Sequence, residues 1–198
     1  MTRQFPRNEI DEAFQHYWKV GCVDEDWVAW TDLFVPDVHY VDHFWGPLRG
    51  RKQVDVWIHA VMKGVPEIYT VLDWYAIDGN RVVFRLQNRR DNPSADGPPY
   101  FDFPGLSVIT YAGDGLWASE EDYWDRTGAR RTSEEYAAAC DRSGPTTPES
   151  RMTRRFWPDG PAWARSDDPP QPSWLDREDL PAITKPRELQ ELLARVIA

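Results

Sequence analysis

Residues 28–58, VAWTDLFVPDVHYVDHFWGPLRGRKQVDVWI, carry the pattern on which the fold turns. The stretch opens inside a helix. In DEDWVAWTDLF (24–34) the apolar positions Trp27, Trp30, Leu33 and Phe34 recur at helical spacing, and Asp24, Glu25 and Asp26 complement the dipole at its start. Pro36 and Asp37 stop it, because proline has no N–H to continue a helix. VHYVD (38–42) then reads as a short strand and WGPLRG (45–50) as a turn. From Arg51 the period is helical again, with Val54, Trp57, Ile58, Val61 and Met62 on one stripe, closed by Gly64 and Pro66.

Upstream, Asn8 suits the cap of a helix running to about Val20, with Ile10, Phe14, Tyr17 and Trp18 on one face and Gly21 at its end. Downstream the period changes to two. EIYTVLDWYAI (67–77) and NRVVFRLQNRR (80–90) flank an Asp78-Gly79 turn and read as a hairpin. After the loop DNPSADGPP, YFDFPGLSVITY (100–111) is a third long strand with a bulge expected at Pro104-Gly105. LWASEEDYWD (116–125) is a fourth, reached through the turn GDG. Thr132 and Glu135 fit a capping box for a short helix to Cys140. Helices segregated from antiparallel strands indicate an α+β fold. A strongly curved sheet wrapped over three N-terminal helices leaves a cone-shaped cavity.

The chain is expected to divide at residue 143. Of its 17 prolines, nine lie in residues 144–198, which favours extended chain. That extension also carries Phe156, Trp157, Trp163 and Trp174, too many aromatics for a plain linker, so it is expected to lie across the domain or a partner subunit. It ends in PRELQELLARVI (186–197), a helix with a stripe of Leu189, Leu192, Leu193 and Val196.

Composition narrows the partners. A net charge of −10 argues against nucleic acid and anionic membranes, both of which need a basic surface. No run is long enough to span a bilayer, and the N-terminal residues lack the apolar core of a signal peptide, so a cytoplasmic setting is expected. Cys22 and Cys140 form no motif, and the four histidines show no zinc spacing; neither metal nor organic cofactor is expected.

The 28–58 stretch resembles the signature region of NTF2-like and SnoaL-like proteins, where a helix leads through an acidic turn into a strand, a glycine turn and another helix. YAGDGLWASEEDYWD (111–125) resembles the last hairpin of the same families, and the likeness covers residues 8–140. It implies an NTF2-like, cystatin-like cone that dimerises through its outer sheet face. The superfold hosts isomerases, cyclases, dehydratases, hydrolases and binding modules, so the resemblance speaks to fold before function.

Candidate chemistry centres on Asp42. In ketosteroid-isomerase-like members an aspartate in a matching strand-to-loop position is the general base, and burial of a carboxylate in an apolar cone raises its pKa toward that use. The competing reading is that Asp42 caps the following turn. The same resemblance makes Tyr17 an oxyanion-stabilising hydroxyl, against plain core packing, while the third position of that set falls near Ser107, which is not an acid. His43 would shuttle protons if the strand kinks at HFWGP; otherwise it points away from the face of Asp42. Asn88 shares a face with Phe84 and Leu86 and reads as a substrate contact, and Trp57 as core or pocket wall.

Limonene-epoxide-hydrolase-like members hold water with a tyrosine, an asparagine and an Asp–Arg–Asp set. Tyr40 and Asp122 match two of those places, but Asp42, Asn88 and Leu86 replace the others, which implies against epoxide hydrolysis. Dehydratase-like members use a His–Asp pair, and residues 60–198 contain no histidine. On the last strand Ser119, Glu121 and Tyr123 share one face and Glu120 and Asp122 the other, and either set fits the cavity; Glu121 and Asp122 are carried as substrate contacts. The resulting expectation is a cofactor-independent enzyme that moves protons on a hydrophobic, carbonyl-bearing small molecule. The alternative is a non-catalytic binding or assembly module of the same fold.

Overall fold

The computed structural model describes residues 4–146, 161–165, 172–173 and 177–196. Helix α1 spans Arg7–Trp18 and buries Ile10, Phe14, Tyr17 and Trp18, the stripe read from the sequence. Gly21 does not end it. The chain continues through a π-helical turn, Lys19–Val23, and a Cβ on Gly21 would stand 2.3 Å from the Trp30 ring. The glycine is therefore required by contact with α2 (Trp27–Asp32), a helix shorter than its pattern suggests and capped by Asp26 through the Ala29 N–H. Helix α3 spans Arg51–Gly64.

The sheet has six strands: β1 (Phe34–Asp42), β2 (Gly46–Arg49), β3 (Tyr69–Asp78), β4 (Arg81–Asp91), β5 (Tyr100–Gly113) and β6 (Leu116–Trp124). Their order is β2-β1-β6-β5-β4-β3, with β1 and β6 parallel and the other pairs antiparallel. The WGPLRG turn is thus partly an edge strand, and β1 starts at Phe34, before Pro36. Pairing runs unbroken through Pro104 and Gly105, so the expected bulge is absent there. The irregularities fall between Phe34 and His39 on β1, between Leu72 and Trp74 on β3 and near the β5–β6 turn, where Ala118 is skipped between Ser119 and Trp117. The N-terminal helices and this mostly antiparallel sheet form an α+β NTF2-like fold.

Beyond β6, helix α4 runs from Arg126 to Ser143, longer than the capping-box reading, and Asp125 caps it through the Thr127 N–H. Thr132 lies inside that helix, its hydroxyl donating to the Ala129 carbonyl. Trp163 packs edge-on against Phe14 and Tyr75, with centroids 6.3 and 6.0 Å away. Helix α5 (Pro186–Val196) places Leu189, Leu192 and Leu193 in the common core. The expected docking of Phe156, Trp157 and Trp174 lies outside the described residues.

Candidate functional site

A cavity of about 970 Å³ is walled by residues of the sheet, α1, α2, α3, α4 and the segment before α5. That volume suits a small organic ligand. Its lining separates by chemistry. Tyr17, Tyr40, Asp42, Ser107, Glu120 and Asp122 form a polar floor, while Ile58, Val61, Met62, Val65, Ile68 and Ile183 make an aliphatic wall.

The floor follows from strand register. Parallel pairing of β1 with β6 sets Tyr40 beside Glu120 and Asp42 beside Asp122, and β5 places Ser107 opposite Asp122. Side chains at matched positions share a face, so these groups converge. Tyr40 Oη donates to Asp122 Oδ2 at 2.5 Å and Ser107 Oγ to Oδ1 at 2.5 Å. From α1, Tyr17 Oη lies 2.8 Å from both carboxyl oxygens of Glu120.

Glu120 is only 3% exposed. Burial, and then the charge of Asp122, push its pKa well above the ordinary carboxylate value. Asp122 also lines the cavity and is the least buried carboxyl of the floor. Desolvation and the neighbouring Asp42 charge raise it to about 6, against the pull of its bonds from Ser107 and Tyr40. The two carboxyls act on each other: Asp122 raises Glu120 and Glu120 lowers Asp122, so Glu120 is the one that favours its protonated form. Burial also raises Tyr17 and Tyr40, which keeps both hydroxyls protonated.

Asp42 borders the cavity with its lone pairs already engaged. Oδ1 accepts the backbone N–H groups of Phe44 (2.7 Å) and Trp45 (2.9 Å), and Oδ2 accepts Trp124 Nε1–H (3.1 Å). This is the turn-capping alternative, with an added electrostatic effect on Asp122. His43 lies outside the cavity lining. Its N–H bonds the Asp122 carbonyl at 3.2 Å, so the strand alternation continues without a kink and its ring points outward. There it stacks on Tyr123 and meets Glu121 Oε1 at 2.8 Å. Glu121 therefore also sits on the outer face, and Glu120, which the sequence reading left uncommitted, stands inside.

Asn88 and Trp57 line the cavity, Trp57 with its ring centroid 4.9 Å from that of Tyr40. The half-buried Asn88 amide makes no side-chain hydrogen bond to a described residue and is open to a ligand. Arg90, which the sequence places among solvated strand positions or partners of the C-terminal extension, is instead buried and reaches the lining from β4, held by Glu67 Oε1 at 2.8 Å. Cys22 lines the cavity from the π-helical turn, and burial pushes its thiol up to about 12. Among the described residues no three His, Cys, Asp or Glu side chains are grouped to hold a metal ion, and no helix is long and apolar enough to cross a membrane.

A putative SnoaL-like polyketide cyclase from Jannaschia sp. CCS1 superposes with a TM-score of 0.53 at 19% identity, covering 67% of this chain and 96% of that one. A ketosteroid isomerase-like protein from Catenulispora acidiphila, solved with trimethylamine, gives 0.51 at 21% identity over 64% and 92%. An LEH-like epoxide hydrolase of M. tuberculosis gives 0.52 at 17% over 71% and 96%. At these identities the likeness is one of fold. No curated protein matches the chain. The sequence profile of the SnoaL-like domain matches residues 13–120, more than half of the chain, from within α1 to Glu120 on β6. The chain belongs to the SnoaL-like domain family.

Proposed function

We propose that this protein is a cofactor-independent enzyme that moves a proton on a hydrophobic, carbonyl-bearing small molecule, in the manner of an isomerase, cyclase or dehydratase. The observation that carries the reading is Asp122: a carboxyl on the cavity wall, raised to about 6, with a second, more deeply buried carboxyl behind it. A base with that pKa is ionised at neutral pH yet still basic enough to accept a proton.

Asp122 takes the proton from the carbon next to the carbonyl, and the electron pair passes into the carbonyl oxygen. The Asn88 amide, which makes no side-chain hydrogen bond to a described residue, would donate to that oxygen. Asp122 then returns the proton to another carbon, or to a departing hydroxyl, or the enolate carbon attacks a second carbonyl whose oxygen takes the proton back from Asp122. Glu120 stays neutral and steadies Asp122, and Tyr17 positions Glu120. Asp42 acts through charge and the shape of its turn, a different part from the base role expected of it. His43 and Glu121 take no part. The fold relatives lend support to a small-molecule pocket, since one is described as a putative SnoaL-like polyketide cyclase and another was solved with trimethylamine.

The test is hydrogen exchange in D₂O, read by proton NMR on a panel of apolar enolisable ketones. Exchange above the buffer rate, lost in Asp122→Asn, is the expected result. Ligand binding without exchange would assign the chain to the non-catalytic module instead. The reading also makes the outer sheet face, where Trp74 and Tyr123 are exposed, the contact of a homodimer. Sedimentation equilibrium should give twice the chain mass, and Trp74→Asp should reduce it.

A further inference from the structure

We propose that the strap before α5 sets the substrate specificity of the cavity through Ile183 and Thr184, and that Gly64 is the residue that admits it. This rests on the cavity being the ligand site. Both strap residues line it, although they lie far beyond the family-matching residues 13–120. The wall they join is the aliphatic one, beside Val61 and Met62 of α3 and the following Val65 and Ile68. A substrate whose carbonyl lies on the Asp122 floor would turn its other end toward this wall.

The strap is held there by a set of specific bonds. Ile183 N–H donates to the Ala60 carbonyl of α3 at 3.0 Å. Lys63 Nζ donates to the carbonyls of Arg177 (3.0 Å) and Leu180 (2.9 Å), and Arg177 Nη1 reaches Asp55 Oδ2 at 2.9 Å. Upstream, Ser173 bonds His59 Nε2 at 3.1 Å and the Trp27 N–H at 2.9 Å. Downstream, the Glu188 carboxylate accepts the N–H groups of Thr184 and Lys185, which fixes the turn into α5. Ile183 is 3% exposed.

Gly64 shows that the helix end is shaped for this contact. A Cβ there would stand 2.1 Å from the Ile183 carbonyl oxygen and 3.0 Å from its carbonyl carbon. Both are backbone atoms and have no rotamer by which to yield. The glycine has no left-handed φ to account for it, so its use is the close approach of the strap.

The experiment measures binding of 4-alkylphenols, methyl to octyl, through quenching of the tryptophans that line the cavity. Wild type should show a preferred chain length. Ile183→Ala should move that preference up by about two carbons and weaken the original best ligand about four-fold or more, the worth of one or more lost apolar groups. Thr184→Val should favour longer chains without moving the melting temperature. Gly64→Ala should flatten the preference and speed amide hydrogen exchange at Ile183 at least about ten-fold, as expected when the N–H loses Ala60. Variants that stay folded and keep the wild-type preference overturn the specificity role alone. A wild type that binds no member of the series overturns the cavity reading and this role with it.

Discussion

Tyr40 Oη lies 2.5 Å from Asp122 Oδ2, and the two residues come from strands that run parallel within a mostly antiparallel sheet. The parallel step brings β1 beside β6, so three carboxyls and Tyr40 meet on one floor, where Tyr17 joins them from α1. Asp122 has an ordinary pKa of 3.8 and is raised to about 6, chiefly by burial. The folded state therefore keeps its proton to higher pH than the unfolded chain does. The stability this contributes is full below about pH 4 and is lost as pH rises through about 6. The loss is on the order of 2 kcal/mol, discounted for the surface Asp122 keeps in the cavity. Urea denaturation should find Asp122→Asn more stable than wild type at pH 8 and no more stable at pH 4. Its exchange activity should fall by about 10² to 10⁴-fold, while wild-type activity rises to a plateau above about pH 6.

Asp42 gives a sharper contrast, because two roles predict opposite things for it. Its carboxylate carries three fixed donors, from Phe44, Trp45 and Trp124. Asp42→Ala should cost about 1–3 kcal/mol in denaturation, since it leaves buried N–H groups unpaired. Asp42→Asn removes the charge that raises Asp122, so the pH midpoint of activity should drop below about 6 while activity persists. Loss of all activity in Asp42→Asn with stability unchanged would make Asp42 the base.

Much of this floor is legible in the sequence. The helical stripe of α1 places Tyr17 inward, and strand alternation groups Tyr40 with Asp42. The face of β6 is not legible. Trp117 is fully buried, and plain alternation from it would send Ser119 and Glu121 inward. The residue skipped at Ala118 reverses the phase, so Glu120 and Asp122 face the cavity instead. No local signal in a run as polar as SEED reveals such a bulge. The strap escaped for a different reason. Its hold on α3 consists of hydrogen bonds, the Arg177–Asp55 ion pair and the missing side chain of Gly64, and hydrophobic spacing carries none of them.

Glu120 and Tyr17 are expected to act through Asp122 rather than on the substrate. Glu120 lowers Asp122, so Glu120→Leu should shift the activity midpoint upward, whereas Glu120→Gln, which keeps a donor in that place, should leave it near about 6. Tyr17→Phe should cost about 0.5–1.5 kcal/mol of stability, the worth of one buried hydrogen bond. A pH–rate profile of the three variants checks this, and a Glu120→Leu midpoint identical to wild type would remove Glu120 from the site.

The Cys22 thiol, pushed up to about 12 by burial, carries little thiolate at pH 8. Iodoacetamide should modify it slowly in the folded protein and quickly in urea, as followed by peptide mass spectrometry. A ligand in the cavity should slow the folded-state reaction further, because Cys22 is part of the lining.

Helix α5 ties the extension to the body of the fold through its leucines. Leu189 is 0% exposed and Leu192 is 2%, and both belong to the same buried cluster as Phe14 and Trp57. A helix that shares the core should share its unfolding. Leu189→Ala should therefore cost about 2–5 kcal/mol and shift a single cooperative transition. Against a total stability of about 5–15 kcal/mol, removal of residues 186–198, with three buried leucines, should leave little folded protein. Two separate transitions in urea, with only the first moved by Leu189→Ala, would mean that the extension folds apart from the body. In that case the strap could not be a fixed wall of the cavity, since its hold on α3 would melt while Asp122 and its partners stayed in place.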